Sequence, residues 1–270
     1  MKAHPNAHDR LHRFTQAVLL PLATLCLFIG GWEAFVYGFG ISQIVLPSPS
    51  AIALAFSDGL LSGDFSWHLA VTMYEVLAGF ILGSAAGLVL GFLIALVPLA
   101  ERILYPYIVA FQTVPKVAIA PIMVIWFGYG VTSKIVITAT IAFFPLLANT
   151  IMGLRATPHD QIEMLVSYTA SRWQVFTMVR LKQALPYIFV GLDVAIVLSV
   201  IGAIVGEFVG AKAGLGYLIL QKNFNLDMAG TFAILIILSL IGVGLHAIVS
   251  WAQRRIVFWM DTAGDRVMGA

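Results

Sequence analysis

Apolar and polar positions fall in long blocks along this chain. Six apolar blocks, roughly 17–39, 69–97, 104–127, 135–153, 186–209 and 230–252, each run for about 20 residues or more. A helix of about 20 residues covers the roughly 30 Å hydrocarbon core of a bilayer, so each block predicts a transmembrane helix. The second block carries Gly79, Gly83, Gly87 and Gly91. That spacing places all four on one helix face, where a neighbouring helix can approach closely.

Composition strengthens the pattern. Of 270 residues, 60% are hydrophobic and 10% charged, and mean hydropathy is +0.96. A soluble domain keeps about 25% of its residues charged. The single cysteine, Cys26, leaves no intrachain disulfide to form. The basic, polar residues 1–16 read as a cytoplasmic tail. The apolar run after them is too long for a signal h-region and lacks a small-x-small cleavage site, so it predicts an uncleaved first span. The remainder, 17–270, reads as one transmembrane domain with its core at roughly 69–252.

Net charge is +2; its distribution says more. Lys2, Arg10, Arg13, Arg102, Arg155, Arg172, Arg180, Lys182, Arg254, Arg255 and Arg266 fall on one side of the predicted spans. Only Lys134, Lys212 and Lys222 fall on the other. The excess marks the cytoplasmic side and puts both termini there.

Two outer segments stand out. In "LPSPSAIALAF", Leu46 to Phe56, Ser48 can cap a short helix whose first position is Pro49. "GAKAGLG", Gly210 to Gly216, predicts a glycine-rich loop. It lacks the GK[ST] sequence and strand-to-helix context of a phosphate-binding loop.

No catalytic motif is present: no P-loop, HExxH, CxxC or GxSxG. His4, His8 and His12 are spaced as on one helix face, but Pro5 interrupts them, and a zinc site needs a closed set of oriented ligands. His246 falls inside the sixth block and reads as a packed or hydrogen-bonded residue.

The region 154–185 is different in kind: polar, charged and helical in pattern. "TPHD" at Thr157 to Asp160 predicts an N-cap, a proline at the first position and a favourably placed acid. "SRWQ" at Ser171 to Gln174 predicts a capping box, and Pro186 then opens the fifth span. Ile162, Leu165, Val166 and Thr169 share one face. A lipid-surface helix is rich in lysine and arginine; this first helix has neither, so its face predicts a docking site for a cytoplasmic partner.

"EMLVSYTASRWQVFTMVRLKQALPYIFVGL", Glu163 to Leu192, resembles the EAA loop of permease subunits of bacterial ABC importers. Glu163 matches the glutamate of that loop, and "ALP" ending at Pro186 matches its downstream leucine-proline. Met164 and Leu165 replace its two alanines, Thr169 replaces its glycine, and Lys182 stands where a proline often follows. "LPSPSAI" (46–52), "VPKVAIAPIMVIWFGYGVTSKI" (114–135), "FFPLLANT" (143–150) and "GEFVGAKAGLGYLI" (206–219) resemble the nitrate/sulfonate/taurine-type branch, which also serves pyrimidine precursors. The resemblance covers nearly the whole chain.

The resemblance implies an all-α MetI-like permease fold in the bacterial inner membrane, with about six spans and a cytoplasmic coupling helix. It implies a second copy of the chain, two ABC ATPase subunits and an extracytoplasmic solute-binding protein. No nucleic acid is expected as a partner. No cofactor is expected in this chain; ATP and magnesium belong to the ATPase. Glu163, Ile162, Leu165, Val166, Thr169, Ser171 and Arg172 become candidates for ATPase coupling.

Lys116, Glu75, Asp193 and Glu207 are candidates for the translocation path, because ionisable groups at membrane depth are functional candidates by default. Lys116 lies between Pro115 and Pro121, where a simple kink and a path-lining break are both open readings. Each acid either pairs within the protein or faces solute. An acid facing the path would disfavour a small anion such as nitrate and favour a neutral, zwitterionic or cationic nitrogenous solute. A scaffold subunit that couples an ATPase to another process, and a secondary transporter, are the alternatives to an importer.

Overall fold

The structure is a computed structural model that describes residues 19–259. The N-terminal tail with His4, His8 and His12, and Arg266, lie outside the described residues. Every regular element among the described residues is helical. In chain order these are α1 (Leu20–Gly38), α2 (Pro49–Leu61), α3 (Asp64–Leu96), α4 (Pro98–Thr113), a 3-10 turn (Lys116–Ile119), α5 (Ala120–Phe127), α6 (Val131–Arg155), α7 (His159–Ser167), α8 (Arg172–Gly210), α9 (Leu215–Phe224) and α10 (Met228–Ile256). Helices α1, α3, α6, α8 and α10 are long and apolar enough to cross a bilayer.

The third expected span is not one helix. Its two halves, α4 and α5, meet at a bend of 88°. Pro115 lacks an N–H and disfavours helical geometry in the residue before it; Val114 is accordingly extended, at φ −69° and ψ 128°. The broken pair still traverses the protein. Glu101, in the first turn of α4, pairs with Arg155 at the end of α6. Tyr129 and Gly130, beyond α5, bond to Lys134 near the start of α6. The pair therefore begins beside the end of α6 and finishes beside its start.

The fifth span also differs from expectation. Pro186 does not open it. The helix is continuous from Arg172 to Gly210 and includes a π turn at Phe176–Arg180, and Pro186 lies inside it. The predicted cap at Thr157 does not form either: its Oγ1 donates to Leu154 O at 3.2 Å, and α7 begins after Pro158. The predicted caps at Ser48 and Ser171 are present. Ser48 Oγ accepts from the Ala51 N–H at 3.3 Å. Ser171 and Gln174 exchange both bonds of a capping box, at 2.7 and 3.3 Å.

The described chain forms two compact units. One holds α1, α2 and residues 221–235. There Glu33 of α1 caps α2: its carboxylate accepts from the Ser50 N–H at 3.1 Å and from Ser50 Oγ at 2.7 Å. Trp32 meets Phe232 edge to face, with ring centres 6.0 Å apart.

The other unit holds 65–220 and the rest of α10. Helix α6 is its centre. The glycine ladder of α3 lies directly against it: a β-carbon at Gly83 would fall 2.9 Å from Ala139 Cα, and one at Gly87 2.8 Å from Phe143 O. Small residues allow this approach where lipid offers no hydrophobic drive for association. On its far side α6 packs against α8, and Leu146, Leu154, Ala184 and Ile188 form a buried cluster there.

Candidate functional site

Three places hold most of the residues that the sequence singles out: the turn between α7 and α8, a cleft beside the α4–α5 break, and a buried polar cluster at the opposite end of α8.

The turn is fixed by local hydrogen bonds. Helix α7 closes with the Ala170 N–H donating to Leu165 O at 3.0 Å and the Thr169 N–H donating to Val166 O at 2.9 Å. This is the double bond of a Schellman motif, whose C′ residue takes left-handed geometry and is usually glycine. Thr169 occupies that position at φ 60°. The capping box at Ser171 starts α8 at once.

The predicted coupling face divides. Ile162 and Leu165 are half-buried, while Val166, Thr169, Ser171 and Arg172 are exposed. Tyr168 and Trp173 are 78% and 71% exposed, and Met164 is exposed as well. Met164 and Tyr168 escape the helical-spacing argument because one lies off the stripe and the other at the helix end. Glu163 is exposed and pairs with His159 at 3.1 Å, one turn earlier on α7.

The cleft holds about 460 Å³. Gln112, Lys116 and Val117 line it from the break, Phe144, Pro145 and Ala148 from α6, and Leu198 and Ile201 from α8. Lys116 Nζ lies 4.8 Å from the centre of the Phe144 ring. It also reaches Gln112 O at 3.4 Å.

The buried cluster collects residues from the first halves of α3 and α6 and from the end of α8. Glu207 is 1% exposed. Its Oε1 accepts from Thr72 Oγ1 at 2.6 Å, and its Oε2 accepts from the N–H groups of Gly216 and Tyr217. Those amides open α9, where a carboxylate is favoured by unpaired donors and by the helix dipole. Thr72 Oγ1 accepts from the Leu215 N–H at 2.7 Å, and His68 Nδ1 accepts from the Gly214 N–H at 2.9 Å. Four successive amides of the glycine-rich loop and α9 thus end on side chains of α3 and α8. Glu75 is buried as well, and its Oε2 has no hydrogen-bond partner.

Lys134 is 2% exposed. Its ammonium donates to Tyr129 O at 2.7 Å, Gly130 O at 3.0 Å and Gly210 O at 2.8 Å. It gathers carbonyls from the α5–α6 loop and from the end of α8, where a cation suits the dipole.

Asp193 is elsewhere. Its Oδ1 lies 2.5 Å from His246 Nδ1, joining α8 to α10. Of the four path candidates, only Lys116 lines the cleft.

The model for "binding-protein-dependent transport system inner membrane component" matches residues 79–258. The chain belongs to the binding-protein-dependent transport system inner membrane components. It is therefore a permease subunit, an integral membrane protein of the ABC importer class. It is 37% identical over 249 residues to a riboflavin transport system permease protein of Chloroflexus aurantiacus, covering 92% of this chain and 93% of that one. It is 37% identical over 228 residues to a formylaminopyrimidine transport permease protein of Halalkalibacterium halodurans, covering 84% and 90%. A putative aliphatic sulfonates transport permease protein of Bacillus subtilis is 31% identical over 248 residues, covering 92% and 88%. The permease also shares its fold with a chain of the inward-facing MetNI methionine ABC transporter. There the TM-score is 0.54 at 22% identity, over 72% of this chain and 93% of the other. The MetI-like fold and the nitrate/sulfonate/taurine-type branch expected from the sequence both hold.

Proposed function

We propose that the permease passes a small organic solute inward through a path beside the α4–α5 break, driven by an ATPase subunit that docks on the α7–α8 turn. A second copy of the chain would complete the path. An extracytoplasmic binding protein would deliver solute to the end that carries Glu207. ATP and magnesium would be held by the ATPase. In this reading α7 and both termini face the cytoplasm, in line with Arg155, Arg172, Arg180, Lys182, Arg254 and Arg255 all lying at that end.

The observation that carries the reading is the exposed apolar set Met164, Val166, Tyr168 and Trp173 on a turn with both of its helix ends capped. Exposed aromatic side chains on a turn fixed by local hydrogen bonds suit a protein partner. The same turn feeds α8, a helix of 39 residues and about 58 Å in length. Movement at the turn would act through the π turn at Phe176–Arg180, along the cleft wall at Leu198 and Ile201, and up to the Gly210 carbonyl held by Lys134. A π turn inside an α-helix often marks a functional site.

The named solutes of the relatives, riboflavin, formylaminopyrimidine and aliphatic sulfonates, support a small organic cargo. The test is copurification of the permease with its ATPase. Val166→Asp combined with Trp173→Asp is expected to leave the permease in the membrane and abolish ATPase recovery. Full recovery from the double variant would reject docking at this turn.

A further inference from the structure

A second cavity lies at the end of the bundle that carries the α7–α8 turn. It is an open groove of about 550 Å³. All of its walls belong to one chain and to one unit. Helix α7 supplies Gln161, α8 supplies Lys182 and Gln183, and the chain beyond α10 supplies Phe258 and Trp259. Met178 and Val179, two residues of the π turn, line the groove as well.

The helices fix its level. The apolar block of α8 begins at 186, one turn past Lys182, and that of α10 ends at 252, ahead of Arg254 and Arg255. The groove therefore sits where the apolar spans meet water. Tryptophan and tyrosine gather at that level of a membrane. Here Phe258 and Trp259 stand with ring centres 5.4 Å apart, and the Arg255 guanidinium lies 5.7 Å from the centre of the Trp251 ring. The two groove rings follow an anchored residue: Val257 is 3% exposed, and its N–H donates to Gln253 O at 2.8 Å.

One cation, two amides and an apolar wall at the membrane boundary match a phosphodiester joined to hydrocarbon chains. Lysine can lay its stem on an apolar surface and keep its ammonium at the polar edge. Gln161 and Gln183 bring amide donors for phosphate or glycerol oxygens. Basic pockets on the cytoplasmic side of membrane helices take anionic headgroups in this way.

We propose that this groove holds the headgroup of an anionic phospholipid of the phosphatidylglycerol class, with Lys182 as its phosphate contact and Phe258 and Trp259 as its apolar wall. The inference goes beyond the permease reading above and rests on it only for placing this end of the bundle in the cytoplasm. Because the π turn forms part of the groove, the lipid braces the segment that joins the docking turn to the rest of α8.

The test counts lipid on the importer purified with its ATPase subunits. Native mass spectrometry follows titration with dioleoyl phosphatidylglycerol or dioleoyl phosphatidylethanolamine, and phosphatidylglycerol is expected to be retained in preference. Lys182→Gln should weaken its retention about fivefold, the effect of one lysine near an anionic membrane surface, and Lys182→Arg should keep it. Phe258→Ala combined with Trp259→Ala removes no charge and should weaken retention too, which general attraction to a basic surface would not do. Lys212→Gln, at an exposed lysine of the opposite end, is the control. A lipid-dependent rise in thermal midpoint, present in wild type and Lys182→Arg and absent in Lys182→Gln, reads the same site in protein shown to be folded.

Equal retention of the two lipids, an equal loss in Lys212→Gln, or unchanged retention in Lys182→Gln would overturn the proposal. Displacement by soluble glycerol phosphate would assign the groove to a free phosphate ester. Lipid held by the permease alone but lost from the complex would assign it to the ATPase interface. A gain of lipid in a chain ended after Met260 would assign it to the chain's own last residues. Failure of the permease reading leaves a different mark: no ATP-driven uptake of any solute in proteoliposomes, whichever lipid is retained.

Discussion

Gly214 folds back against the carboxyl group of Glu207. The backbone at Gly214 has φ +117°, and a β-carbon there would overlap the Glu207 carboxyl. Two penalties therefore attach to any side chain: a backbone region that L-residues avoid, at about 1–3 kcal/mol, and a clash with a buried, fully engaged group. Displacing Glu207 would strip Gly216, Tyr217 and Thr72 of their acceptor. Gly214→Ala is expected to lower the thermal midpoint of the detergent-purified permease by several degrees. Ala213→Gly, one residue earlier, serves as the loop control. A Gly214→Ala midpoint equal to that of wild type would show that this turn is not built on the Glu207 contact.

Lys134 provides a second check on the same end of the bundle. Its ammonium satisfies three carbonyls while 2% exposed. Hydrogen bonds to a charged group contribute about 1.5–3 kcal/mol each, and buried acceptors left unpaired cost more than the bond itself returned. Lys134→Met keeps the length and apolar stem but leaves all three carbonyls without that donor. The expected result is destabilisation of at least about 3 kcal/mol, read from thermal or denaturant unfolding. A neutral effect would mean that the carbonyls find other donors.

How much of this was legible in the sequence depends on the reach of each interaction. Most local signals read correctly. The caps at Ser48 and Ser171 are set within three residues, and the ladder from Gly79 to Gly91 is set by helical spacing alone. Pro115 and Pro121 mark a break, but the 88° bend depends on how α4 and α5 pack against α6. Helix α9 was not legible as an element of its own, because its start rests on donors answered from α3 and α8. The Gly214 amide bonds a histidine 146 residues away. Lys134 reads as an outer charge in sequence, and only the fold brings Tyr129, Gly130 and Gly210 around it. The cap at Thr157 failed for a local reason: its hydroxyl turns back to Leu154 and α7 starts after the proline. The exposed apolar surface of the α7–α8 turn was half legible, since helical spacing finds Val166 but not Tyr168 at the helix end.

Asp227 gives a pH-dependent prediction outside the membrane. It caps α10, its Oδ1 accepting from the Gly230 N–H at 2.8 Å, and it pairs with Lys222 at 3.0 Å. Partial burial opposes the charged carboxylate, but the Gly230 amide and the Lys222 ammonium outweigh it and hold the carboxyl below its usual 3.8. A carboxyl depressed on folding stabilises the folded state above its unfolded value, and that contribution is lost as pH falls through the folded one. Asp227→Asn keeps the shape and an acceptor but removes the charge. The variant should unfold at lower temperature than wild type near pH 7, and the two should converge as pH is taken below about 4. A gap that persists at acid pH would place the effect in packing rather than charge.

Thr169 is the last and most local case. Its φ of 60° puts a β-branched residue in the left-handed region, which costs L-residues about 1–2 kcal/mol. Glycine removes that strain at the price of about 0.5–1 kcal/mol of extra chain entropy, so Thr169→Gly should stabilise the turn modestly. The Schellman bonds to Leu165 and Val166 are the place to look: amide exchange at Thr169 and Ala170 should slow while exchange elsewhere in the permease stays the same. Ser171→Ala acts in the opposite sense on the next helix. It removes the side-chain half of the capping box, worth about 1 kcal/mol, and should speed exchange at Gln174. If ATPase docking depends on a preorganised turn, Thr169→Gly retains or increases ATPase copurification and Ser171→Ala reduces it. Faster exchange at Ala170 in Thr169→Gly would show that threonine is held there by contacts that offset its strain.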